Sequence, residues 1–195
     1  MARPRSFDEQ HVLQAAREVF WDRGYTAASL DDLMTATGLG KGSLYGAFGD
    51  KRQLFLRALD AYRVEQLRAV REVLDGDGPA LERLTRLLEG VARGYGDDAG
   101  RRGCLLVNST SELHGQDPEV ISRSRATYQA VEDLLVDCVE EAQRDGDIAP
   151  DADARELGRL LLATLQGMEF LAKTRMDASA LLQIGRTALA GLPRP

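Results

Sequence analysis

One stretch, SLDDLMTATGLGKGSLYGAFGDKRQLF, which begins at Ser29, restricts the possible folds of this chain more than any other. It holds two short segments with helical apolar spacing, each followed by glycine, and then the start of a third. Ser29 with Asp32 predicts a helix start, and Gly38 predicts the end of that helix. Asp50 with Gln53 predicts the start of a longer helix. A short helix, a glycine-containing turn and a second short helix form the layout of a helix-turn-helix.

The second short helix of this stretch carries polar residues that internal packing does not need. Leu39, Leu44 and Phe48 anchor it inward, since Leu44 and Phe48 stand four residues apart. The residues then left facing outward are Lys41, Gly42, Ser43, Tyr45 and Gly46. Lysine, serine and tyrosine side chains contact phosphates and base edges in protein–DNA complexes. We therefore expect this helix to enter the major groove of DNA.

The remainder of the chain predicts an all-α fold of about nine helices. Apolar residues recur at helical spacing throughout, and no segment shows the two-residue alternation of a strand over a useful length. Ser6 with Glu9 predicts the first helix start and Gly24 its end, while Asp117 and Asp177 predict later starts. We expect a three-helix DNA-binding head over residues 1–53 and a helical effector-binding and dimerisation domain over residues 54–195.

The net charge of −6 is unusual for a protein that binds DNA, but the distribution of the charge weakens this objection. Residues 1–53 hold seven of the 25 Lys and Arg residues and seven of the 31 Asp and Glu residues, so the whole excess of negative charge belongs to residues 54–195. The cations at the two ends of the first segment are Arg3, Arg5, Lys41, Lys51 and Arg52. A local basic surface on an acidic body favours one docking face.

Composition argues against several other classes of protein. No apolar run approaches the length of a membrane span, and no apolar segment follows the basic N-terminus, so we expect a cytoplasmic protein with no membrane partner. Cys104 and Cys138 form no CxxC pair, and His11 and His114 lie far apart, so we expect no disulfide framework, metal site or cofactor. A helical enzyme would need a nucleophile or paired acid and base groups, and the sequence shows no such arrangement.

These residues together resemble the DNA-binding domain of the TetR family of repressors. The resemblance covers residues 7 to about 60 and rests on Phe20, Gly24-Tyr25-Thr26, Gly38-Leu39-Gly40-Lys41-Gly42-Ser43-Leu44-Tyr45, Phe48, Lys51 and Leu54-Phe55. It implies a homodimer that binds double-stranded operator DNA and is released from it by a small-molecule effector. It also implies DNA contacts at Thr26, Lys41, Ser43, Tyr45 and Lys51, to which we add Arg3, Arg5 and Gly42.

The sequence departs from the family pattern at Gly46-Ala47, where members often carry two large side chains. Two potential groove contacts are missing there, so the operator sequence of other members does not carry over.

The later chain offers two further sets of residues. Polar residues in or beside apolar helices are candidates to line an effector pocket: Cys104, Asn108, Ser111, His114, Tyr128 and Gln166. The last two helices are candidates for a two-fold interface through Leu161, Leu165, Met168, Ile184 and Ala188, with packing inside one protomer as the alternative.

Two other functions stay open at this point. Cys104 follows Arg101, Arg102 and Gly103 and is expected in the first turn of a helix, where the helix dipole and the cations would lower a thiol pKa. It could then sense oxidants or electrophiles, whereas burial among Leu105, Leu106 and Val107 would hide it. The second alternative is a helical protein-interaction module, which the exposed polar helix at Lys41–Tyr45 argues against.

Overall fold

The structure is a computed structural model and describes residues 7–95 and 102–195. Every regular element in these ranges is helical, as the sequence predicts. The helices are α1 (Glu9–Ala27), α2 (Leu30–Thr37), α3 (Lys41–Phe48), α4 (Lys51–Leu74), α5 (Ala80–Tyr95), α6 (Leu105–Leu113), α7 (Pro118–Arg144), α8 (Ala154–Ala172) and α9 (Ala178–Ala190). None of them combines the length and the apolar character that crossing a membrane requires.

Side-chain caps fix most of the helix starts where the sequence predicts them. Ser29 and Asp32 form a reciprocal capping box at α2, and Asp50, Asp117 and Asp177 accept backbone N–H groups at the starts of α4, α7 and α9. The predicted cap of α1 is wrong. Asp8 accepts from the backbone N–H groups of Gln10 and His11, so the helix begins at Glu9, and Ser6 lies outside the described residues.

Gly24 interrupts α1 without ending it. Its φ of 78° lies in the left-handed region that favours glycine, and the helix resumes as far as Ala27. The predicted stop is therefore a break inside the helix. The break directs the end of α1 towards α6.

The described residues form two apolar cores that meet along α4. One core joins α1, α2 and α3 to the first half of α4, and it takes in Cys104, Leu105 and Leu106 from the start of α6. The other joins the end of α4 to α5, α7, α8 and α9. The proposed boundary at residues 53 and 54 falls in the first turn of α4, and it stays a prediction. Because α6 packs into the same core as α1 to α3, its position is tied to theirs.

The predicted interface residues divide between two faces of the last helices. Leu161, Leu165 and Met168 are at most 4% exposed and pack in the protomer's own core, so their assignment to an interface is wrong. Their periodicity along α8 marks the inward face, and the sequence could not show which side the core lay on. The opposite face carries Leu160, which is 49% exposed, and Ile184 lies half-buried on α9.

Candidate nucleic-acid interface and adjoining cavity

Helix α3 presents the surface that the sequence predicts. Leu44 and Phe48 are buried, while Lys41, Gly42 and Ser43 are exposed and Tyr45 is half-buried. Gly40 caps α3 without a side-chain hydrogen bond, so no capping side chain covers the first N–H groups of the helix. Free N–H groups at a helix start attract anions such as phosphate.

Two glycines on the exposed side of α3 are not explained by the fold. A Cβ atom added at Gly42 or at Gly46 would meet nothing within 4 Å. Glycine inside a helix costs about 0.5–1 kcal/mol relative to alanine. Because no neighbour within the protomer requires these glycines, a close approach by an external partner gives them a physical reason.

Thr26 and Lys51 lie together beside the helix-turn-helix. The Lys51 ammonium donates to the Thr26 carbonyl oxygen at 3.3 Å and lies 4.8 Å from the centre of the Tyr25 ring. Thr26 is exposed and Lys51 is half-buried. The structure thus joins two of the predicted DNA-contact residues in one place.

The predicted basic surface contains three further cations, Arg52, Arg3 and Arg5. Arg52 donates to Asp117 at 2.7 and 2.9 Å and to Glu119 at 2.7 Å, and these carboxylates raise the pKa of its guanidinium. Arg52 belongs to the predicted basic surface by its position, but its guanidinium is paired with two carboxylates from the start of α7. Arg3 and Arg5 lie outside the described residues.

The break at Gly24 is closed by a carboxylate from α6. Glu112 accepts from the backbone N–H groups of Tyr25 at 2.9 Å and Thr26 at 2.7 Å. Burial alone would raise the pKa of Glu112, but these hydrogen bonds and the Lys51 charge outweigh it and lower the pKa. A Cβ atom at Gly24 would lie 2.8 Å from a Glu112 oxygen, so the contact also requires glycine there.

A second contact ties α1 to the segment that precedes α6. The Trp21 indole N–H donates to the Gly103 carbonyl at 2.8 Å, and the Arg102 guanidinium lies 4.0 Å from the centre of the Trp21 indole. Arg102 also donates to Glu18 at 2.6 Å and to Asp22 at 3.1 Å. Sequence reasoning missed Glu112 and these partners because they are some 80 residues apart along the chain and follow no local spacing.

A cavity of about 290 Å³ adjoins this junction between α4, α5, α7, α8 and the start of α6. Three of the predicted pocket residues, Cys104, Tyr128 and Gln166, line it. The other three do not. Asn108 donates to the Arg102 carbonyl and accepts from Lys173, while Ser111 and His114 are exposed on the far part of α6 and just beyond it.

Of the two alternatives for Cys104, the structure supports burial and contradicts activation. Its side chain is 6% exposed, and burial, with a smaller effect of the Glu169 carboxylate, raises the thiol pKa to about 12. The Tyr62 hydroxyl donates to the Cys104 sulfur at 3.3 Å. Cys104 caps α6, but Arg102 points away to α1, and the dipole alone does not offset the desolvation.

Sequence models of two known domain families match most of this chain. A sequence model of the family described as "Bacterial regulatory proteins, tetR family" matches residues 12–58, and one described as "Tetracyclin repressor-like, C-terminal domain" matches residues 80–188. The chain is 31% identical to an uncharacterized HTH-type transcriptional regulator, YezE, of Bacillus subtilis, over 93% of this chain and 94% of that one. It is 29% identical to the HTH-type transcriptional repressor ComR of Escherichia coli, over 96% and 90%.

Solved structures of transcription regulators also superimpose closely on this chain. A cysteine mutant of the TetR family regulator CifR, complexed with 26-bp double-strand operator DNA, superimposes with a TM-score of 0.85 at 35% identity, covering 98% of this chain and all of that one. The reduced form of Escherichia coli NemR has a TM-score of 0.85 at 19% identity, over 95% and 97%, and is similar in fold. The chain is a DNA-binding transcription regulator of the helix-turn-helix class. It belongs to the TetR family, whose members are homodimers.

The buried Cys104 thiol leads to a prediction about alkylation. Because the pKa is raised to about 12, the thiolate is scarce near neutral pH, and iodoacetamide should modify native Cys104 at least about tenfold more slowly than the same residue in the unfolded chain. Mass spectrometry of a time course checks this, in Cys138→Ala so that one thiol remains. An alkylation midpoint below the ordinary thiol value would restore the sensor hypothesis.

Proposed function

We propose that this protein is a repressor that binds operator DNA through α3 and is released when a small molecule enters the cavity. The observation that supports it best is the outward face of α3, which is polar and holds two glycines that no neighbour within the protomer requires. Lys41, Ser43 and Tyr45 would contact the groove and its phosphates, and Thr26 and Lys51 the flanking backbone. Such a regulator acts on the chromosome in the cytoplasm and carries out no catalysis.

Helix α6 provides a physical route from the cavity to the DNA-binding head. Near its start, Cys104 and Leu106 line the cavity, and at its other end Glu112 holds the break in α1. A ligand that displaces Leu106 would move a rigid helix of two and a half turns, and with it the partner of two head N–H groups. Such a shift alters the placement of α3 through the shared apolar core.

A second route follows the surface of α4 and α7. Alternating charges link the cavity wall to the first turn of α4 through contacts of 2.6 to 3.0 Å. The residues in order are Thr127, Arg63, Asp60, Arg123, Glu119 and Arg52. This network fixes α4 against α7, so a change in the cavity wall at Thr127 is transmitted to the base of the head.

The homodimer forms, in this proposal, through the outer face of α8 and α9. Leu160 and Phe170 are 49% and 56% exposed, and Ile184 and Ala188 line a shallow groove on α9 beside Thr164. Two copies related by a two-fold axis would bury these residues against each other. Ile184 and Ala188 thus keep their predicted role, whereas Leu160 and Phe170 take the place of the buried residues of α8.

The glycine surface of α3 leads to a prediction that separates stability from DNA binding. Gly46→Ala should raise the free energy of unfolding by about 0.5–1 kcal/mol, because alanine favours the helix and has open space. The same change should weaken binding to DNA upstream of the protein's own gene by about tenfold, because the added methyl group prevents close approach.

Gly94→Ala is the matched control, since this α5 glycine also lies in open space. It should leave the affinity for DNA unchanged. Thermal unfolding and a fluorescence titration with labelled DNA measure the two quantities. Unchanged DNA binding in Gly46→Ala, or no binding by the wild type to any segment of that region, would contradict the proposal.

The dimer face leads to a second prediction. Leu160→Arg should give monomers with native helicity, because the charge would be buried only in the dimer. Met168→Arg should instead lose helicity, because it places a charge in the protomer core. Sedimentation and circular dichroism distinguish the two variants. A Leu160→Arg protein that remains fully dimeric would show that the interface lies elsewhere.

A further inference from the structure

The cavity walls are apolar over most of their area, and the volume limits what they can hold. Val70, Val73, Leu87, Val91, Leu106, Val131 and Leu165 form these walls. An apolar cavity of about 150 Å³ holds one benzene ring. A cavity of about 290 Å³ therefore has room for a compound of roughly two fused rings.

The hydroxyl and guanidinium groups of the wall are already engaged by the protein. The Tyr62 hydroxyl donates to Cys104, and the Tyr128 hydroxyl bonds to Thr110. Arg63 donates to Thr127 at 2.6 Å and to Asp60 at 2.7 Å. These groups shape the cavity and do not require a polar partner from the ligand.

Gln166 is different. Its Oε1 atom is buried, lines the cavity and has no hydrogen-bond partner in the structure. A buried acceptor left without a partner is costly, whereas the same atom bonded to a ligand stabilises the complex. The partner it requires is an N–H or O–H donor.

Glu169 places an acidic side chain beside Gln166. It lies one turn after Gln166 on α8, is 8% exposed and lines the same cavity. Burial is the main cause of the raised pKa of Cys104 and of Tyr128, and the Glu169 carboxylate contributes to both, so it lies near these two side chains. An anionic ligand group placed beside Gln166 would lose its hydration in a largely apolar cavity whose guanidinium groups already donate to other partners, so its burial is unfavourable.

We propose that the effector is a neutral, largely apolar compound about the size of two fused rings, with a hydroxyl or N–H group that donates to Gln166 Oε1. This inference rests on the proposed function for the location of the effector site. It adds the chemical class: donor-bearing aromatic or alicyclic compounds bind, and carboxylates of the same size do not.

Three matched probes test the class on the full-length protein in the absence of DNA. β-Naphthol carries a donor, its methyl ether has the same rings and no donor, and β-naphthoate carries an anionic group. Calorimetric titration near neutral pH should show β-naphthol binding about tenfold more tightly than the ether. No binding of β-naphthoate is expected at concentrations that saturate the site with β-naphthol.

Gln166→Leu provides the decisive variant, because leucine has similar volume and no acceptor. It should bind β-naphthol and the ether with similar affinity, so that the tenfold preference disappears. Gln129→Leu, the same change at an exposed position on α7, should keep the preference. Circular dichroism confirms that both variants are folded.

Equal affinity for β-naphthol and its ether in the wild type, tighter binding of β-naphthoate, or no binding of any probe would each overturn the assignment. A preference for β-naphthol that survives in Gln166→Leu would overturn the role of Gln166. The probe titrations are carried out without DNA. A negative result there overturns the proposed effector class, whereas the titration with labelled DNA tests the proposed repressor function separately.

Discussion

A single carboxylate, that of Glu112 on α6, holds the end of α1 in the DNA-binding head. Glu112 accepts the backbone N–H groups of Tyr25 and Thr26, which the break at Gly24 would otherwise leave without helical partners. Hydrogen bonds to a charged group contribute about 1.5–3 kcal/mol each, so two of them outweigh the thermal energy that would loosen the end of α1. The position of the head therefore depends on the position of α6.

Other contacts around Glu112 strengthen this dependence. Lys51, in the first turn of α4, holds the Thr26 carbonyl, while Trp21 and Arg102 tie α1 to the segment before α6. The cavity opens on the same segment at Cys104 and Leu106. A ligand in the proposed site would therefore touch the start of α6, the helix whose other end holds α1.

The sequence predicted the local part of this arrangement well. The caps at Ser29, Asp50, Asp117 and Asp177, the turn at Gly38 and the inward anchors Leu44 and Phe48 follow rules that operate over a few residues. The sequence also indicated Cys104, Tyr128 and Gln166 as cavity residues. Long-range pairing was not predictable: Glu112 and Thr26 are 86 residues apart, and Arg52 finds its anions in α7.

The errors have a common physical origin. The amphipathic pattern of α8 shows that Leu161 and Met168 share a face, but it does not show whether the core or a partner covers that face. The helix dipole and nearby arginines suggested an acidic Cys104, but the sequence gives neither its burial nor the direction in which Arg102 points. In both cases the tertiary environment decides, and it is set by residues far away along the chain.

The most direct test of the coupling is the operator affinity of Glu112→Gln. Glutamine offers one acceptor oxygen where the carboxylate offers two, so one of the two N–H groups loses its partner, although no atom of the DNA-facing surface changes. The account predicts that the dissociation constant for operator DNA rises by about tenfold with helicity and dimerisation unchanged, while Glu140→Gln, at an exposed position on α7, has no effect. Equal operator affinity in Glu112→Gln and the wild type would contradict it.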